Sequence, residues 1–157
     1  MEIANLLHTK LNLARRVLRE LIHDYMKLDD TQRMEKSNTI LDEVNSYLQI
    51  KENLIFPFIR EKGLHEDLVQ RSSQIDREID RITEMSIMIH VDEPSGEYYH
   101  NMVTLLDLLD KVERVDSESI LSWMREYLTD DDRHYIATHL KNQMTQESLP
   151  SSGMTIY

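Results

Sequence analysis

The chain of 157 residues has no cysteine, three glycines, three prolines, fewer basic than acidic residues, and no long apolar run. The missing thiols remove disulfides, zinc–thiolate centres and thiol catalysis together. They fit a reducing compartment and leave His, Asp and Glu to carry any metal or acid–base chemistry. So few turn-forming residues disfavour an all-β chain and point to long helices. With only Gly63, Gly96 and Gly153 available, no phosphate-cradling loop or Gly-x-Ser-x-Gly turn can be assembled, so an enzyme of those classes is not expected. The 18 basic against 29 acidic residues give a formal charge of -11, which repels phosphate backbones and anionic lipid. Neither nucleic acid nor a membrane is therefore an expected partner. No stretch approaches the ~20 apolar residues of a membrane-spanning helix. Residues 1–5 lack the basic and apolar segments of a secretory signal, and the expected location is cytoplasmic.

What is present is helical periodicity. Leu7, Leu11, Ala14, Leu18, Leu21 and Tyr25 recur at three-to-four spacing and predict a first amphipathic helix over 3–27. Asp29, Asp30 and Thr31 form a polar break rich in capping side chains. Leu41, Val44, Leu48, Ile55 and Ile59 then predict a second helix reaching about residue 60, bent or ended near Pro57. Gly63 is the next stop, and Leu64, Leu68, Ile75, Ile79, Ile82 and Ile89 mark a third helix to about residue 90. Residues 92–96 read as a loop. Met102, Leu105, Leu109, Val112, Trp123 and Tyr127 predict a fourth helix over 97–128, and Thr129 is placed to cap a shorter fifth helix. The expected architecture is all-α: an up-down-up-down four-helix bundle with a short fifth helix, residues 1–146, followed by a flexible tail at 147–157.

Several local stretches then carry a resemblance. Lys51-Glu52-Asn53-Leu54-Ile55-Phe56-Pro57 resembles a segment of the hemerythrin-like cation-binding family in which a histidine and then a glutamate precede an apolar-aromatic-proline end. Leu7-His8-Thr9-Lys10-Leu11, with Leu13-Ala14-Arg15 after it, is similar to that family's opening. Residues 105–123, with Ser122 where a proline is common, resemble a second His-and-acid helix, and residues 72–82 the helix that carries a single histidine. The resemblance implies a bundle in which imidazoles and carboxylates from four helices surround two iron ions, a His and an acid at i+4 sharing one helical face.

Under that resemblance most ligands are replaced. Leu11, Leu48, Ser72 and Val112 fall where histidines are expected, and His8, Glu52 and Asp116 remain as vestigial metal-ligand candidates. Each also has a plainer reading. His8 can be a boundary histidine bonded to backbone or water, Glu52 can lie at the edge of its stripe, and Asp116 can belong to a solvated run with Asp110, Glu113 and Glu118. The remaining histidines do not form a helical zinc pair, since His134 and His139 are five apart. His90 and His100 flank the predicted loop and offer at most a weak surface site.

Two functions from different classes remain open. One is a metal-free protein-interaction or regulatory module whose acidic surface meets a basic protein partner, with no cofactor. The other is a non-haem iron protein with a reduced ligand set, engaged in oxygen, iron or redox sensing. If the register is right, His8, Leu48, Glu52, Ser72, Val112 and Asp116 should converge in one layer. If the metal-free reading is right, aliphatic side chains should fill the space between them.

Overall fold

The structure is a computed structural model that describes residues 3–62, 66–88 and 96–148. Every element among them is helical, and no strand occurs there. Helix α1 spans Ile3–Asp24 and passes into a 3-10 turn at Tyr25–Lys27. Helix α2 spans Asp30–Ile50, a π-helical turn covers Lys51–Ile55, and α3 spans Phe56–Glu61. Helix α4 is Glu66–Met88, α5 is Gly96–Glu118, α6 is Ile120–Tyr127 and α7 is Asp130–Ser148. No helix among the described residues is long and apolar enough to cross a membrane.

The element ends have local causes. Asp29 caps α2 reciprocally: its carboxylate accepts from the Gln32 backbone N–H at 2.8 Å, and the Gln32 side chain accepts from the Asp29 N–H at 3.0 Å. Two of the helix's orphan donors are thereby satisfied. Thr129 and Asp132 repeat the device at the start of α7, both bonds 3.1 Å long. Where one fourth helix is predicted over 97–128, the structure has two, α5 and α6, divided at Ser119. The Ser119 hydroxyl turns back to the Val115 carbonyl at 2.6 Å, competing with the backbone ladder where it breaks. Helix α7 continues to Ser148, two residues into the expected tail. The rest of that tail, the predicted stop at Gly63 and most of the predicted loop at 92–96 lie outside the described residues.

One core joins the long helices. The six positions of the first predicted stripe, from Leu7 to Tyr25, are all buried. They meet Ile40, Val44 and Tyr47 of α2, Ile75 and Ile79 of α4, and Leu105, Leu109 and Val112 of α5. Helix α1 packs chiefly on α2 and α5, and α4 on α5, whereas α2 and α4 meet along a narrower seam. Arg33 closes one end of this core. It lies over the Tyr25 ring at 4.5 Å and donates Nε and Nη2 to the Tyr25 carbonyl at 3.0 and 2.8 Å. Those bonds satisfy an acceptor that the end of α1 leaves open.

Candidate functional site: a buried lysine between two carboxylates

A π-helical turn begins where a charged residue enters the core. Pro57 has no N–H to give to the preceding turn, and its ring would crowd the carbonyl four residues back. The ladder ahead of it widens, so that the Phe56 N–H reaches the Lys51 carbonyl, five residues back. A widened turn holds an extra residue, and inward positions after it are displaced from a regular helical count. Lys51 opens that turn and continues the regular inward stripe of Ile40, Val44 and Tyr47, only 1% exposed.

Its ammonium group lies between two carboxylates. Lys51 Nζ stands 2.7 Å from Asp116 Oδ2 on α5 and 2.8 Å from Asp76 Oδ1 on α4. Tyr47 donates its hydroxyl to Asp116 Oδ2 at 2.5 Å, and Ser72 donates its own to Asp116 Oδ1 at 2.7 Å. The rings of Tyr47 and Phe56 lie 5.2 and 5.5 Å from Nζ, close enough for their faces to attract the cation. Asp116, 2% exposed, is therefore fully engaged, with charge-assisted bonds on both oxygens. Burial, followed by the negative charge of Asp116 and its hydrogen bond, holds the Tyr47 hydroxyl well above its ordinary pKa, so it remains a donor. Burial also raises Asp76 to about 6, against the opposing pull of Lys51 and with help from the nearby charges of Asp116 and Glu52.

The residues singled out from the sequence divide accordingly. Asp116 is in the core and touches Ser72, and Val112 is buried one turn before it. The reading of Asp116 as part of a solvated run is corrected: Glu118 and Asp110 of that run face outward or the rim, while Asp116 faces inward. Glu52 is exposed, and its placement on the buried stripe is corrected as well, because Lys51 takes the inward position one residue earlier. Leu48 is half-buried and lines an outer cleft together with Glu52. His8 is half-buried at the rim, 3.8 Å from Glu113. With Tyr47 and Asp116 it borders a crevice that has no room for a water molecule. The expected layer thus assembles in part, and Lys51 fills its centre where aliphatic side chains were expected. Tyr47, Lys51 and Asp76 were not singled out. Two signals pointed to them: Lys51 lies eleven residues after Ile40 and four after Tyr47 on one face, and Asp76 lies four after Ser72.

This donor set does not fit a pair of iron ions. Its centre is an ammonium, which repels a metal cation and donates hydrogen bonds where a ligand must donate electron pairs. No imidazole belongs to it. Among the described residues no group of three or more His, Asp or Glu side chains is placed to hold a metal. The arrangement ties the π turn to α4 and α5 through charge-assisted bonds.

On the far side of Asp76 a cleft of about 430 Å³ opens between α2 and α4, walled by Leu48 and Phe56 and edged by Glu52, Arg60, Arg77 and Asp80. Arg60 is drawn to Glu66, with bonds of 3.2 and 3.4 Å. Comparison with protein-family models, with curated proteins and with solved structures finds no match to this chain.

Proposed function

We propose that the chain is a metal-free relative of the hemerythrin-like domains, an up-down-up-down four-helix bundle with accessory α7 that serves as a protein-interaction or regulatory module and not as an enzyme. The observation that carries this reading is the Lys51 ammonium between Asp76 and Asp116. A tethered cation in the bundle core supplies the positive charge that carboxylates from facing helices otherwise take from a metal ion. The ligand replacements implied by the resemblance agree with it, because a site without imidazoles has little use for iron but can still hold helices together. The formal charge of -11 favours a basic protein partner, whose approach such a surface accelerates and orients.

Metal content measured by mass spectrometry tests the reading, on protein purified without chelator or affinity tag. Iron and manganese at background, with thermal unfolding unchanged by chelator, is the expected result. Near-stoichiometric iron that disappears on replacing Asp116 with Ala would overturn it.

A further inference from the structure

A second cleft, of about 360 Å³, lies where α5 breaks at Ser119 and gives way to α6, facing α4. Its lining is apolar on two sides: Leu68 of α4 and Val115 of α5 are half-buried and pack against the core. Trp123 of α6, itself 6% exposed, lines it as well, and the Tyr127 ring stands 5.8 Å from the indole at a tilt of 32°. Tyr127 is 55% exposed, so an aromatic surface lies open to water beside the recess, and covering it is favourable. A tryptophan and a tyrosine around a partly desolvated recess are the residue types that carry most of the binding energy at protein interfaces. The volume equals about a dozen waters at roughly 30 Å³ each, room for one large aliphatic side chain.

Charge decides what kind of side chain arrives there. Glu118 and Glu126 are exposed on the α5 and α6 side of the cleft, against the one guanidinium of Arg71 on α4. The rim is therefore negative on balance, within a chain of formal charge -11 that draws cationic segments toward it. A free cation has no reason to choose this place, because both carboxylates stand in water. An apolar side chain does, because Leu68, Val115 and Trp123 receive it. We infer that this cleft is the docking site for a basic segment of the protein partner. One aliphatic side chain of the segment enters between Leu68, Val115 and Trp123, and lysines or arginines beside it reach Glu118 and Glu126. Arg71 donates to a carbonyl of the segment's backbone. The inference deepens, and rests on, the reading of the chain as an interaction module for a basic partner.

Trp123 is the only tryptophan of the chain, so its fluorescence reports on the cleft directly. Titration of the full chain at about 0.15 M salt, where distant charges are screened, compares three end-blocked pentapeptides. One has leucine flanked by two lysines on each side, the second has serine in the same flanks, and the third has leucine flanked by two glutamates on each side. A saturable change is expected with the lysine-flanked leucine peptide below about 1 mM. Affinity should fall about tenfold or more with serine, whose burial gains little. It should fall about fivefold in Glu118→Gln/Glu126→Gln, which removes two exposed ion pairs, and also in Tyr127→Ser. All three positions are exposed, so the variants test docking and not folding. No saturation, equal affinity for the serine peptide, or affinity unchanged in either variant would overturn the inference. If any of these occurs while metal content stays at background, the docking site alone falls. If the glutamate-flanked peptide binds instead, the basic-partner reading falls with it.

Discussion

The least ordinary residue of the chain is Lys51, because a lysine 1% exposed is sustained only by partners that hold its charge. Replacing it with Met keeps most of the side-chain volume but leaves Asp76 and Asp116 without their cation. The expected loss of unfolding free energy is about 3–5 kcal/mol near neutral pH. It should shrink on acidification, because Asp76, whose carboxyl burial raises to about 6, can then take up a proton, and denaturant unfolding at two pH values reads both effects. Asp76 makes a separate claim. Its carboxyl is raised from 3.8 to about 6 in the folded chain, so protonation favours the folded state. The stability it contributes is present in full below pH 3.8 and is lost as pH rises through about 6, by an amount on the order of 3 kcal/mol. Asp76→Asn does not titrate, so its stability relative to the parent chain should improve steadily across that window. A constant difference between the two would remove burial as the cause of the raised value. Ser72 and Tyr47, as donors to Asp116, were reachable from the sequence only by knowing that Asp116 points inward. Its place four residues after Val112 on the apolar stripe gives that sign, while Asp110, Glu113 and Glu118 around it point the other way.

At the scale of elements, helix starts, stripes and the interruption near Pro57 were legible, and the break at Ser119 was not. The Asp29 cap and the Thr129 cap are local chemistry, each needing one side chain and a partner three residues on. The break at Ser119 depends on which carbonyl competes for which donor, and no apolar period announces that, whereas Pro57 announces an interruption without giving its π-helical form. A count anchored on Leu48 selects Glu52, whereas the buried stripe runs through Ile40, Val44 and Tyr47 and carries Lys51 inward. The two caps should differ in consequence. Asp29→Ala removes a cap from a helix that packs widely on α1, and it should cost about 1 kcal/mol of global stability by thermal unfolding. Helix α7 buries Ile136 and Leu140 and touches α1 over a small area. Thr129→Ala should therefore raise amide exchange within α7 more than it lowers the unfolding midpoint. Equal protection of α7 in variant and parent would show that the cap does not hold the helix.

For the molecule as a whole, charge is the dominant property outside the core. A formal charge of -11 on one small chain opposes the compact state through self-repulsion. Raising ionic strength from about 0.01 M to about 0.15 M shortens the screening length from ~30 to ~8 Å, so the thermal midpoint should rise over that interval. A fall would mean that surface pairs such as Arg15–Asp110, at 2.7 Å, outweigh the repulsion. Composition and periodicity by themselves determined the helical class, the stripe of α1, the caps and the sign of the surface, because each follows from residues near one another along the chain. Tertiary structure alone decided the identity of the polar cluster. Tyr47, Lys51, Ser72, Asp76 and Asp116 come from three separated stretches, and whether a charged side chain is buried depends on the counter-charges that other helices bring to it.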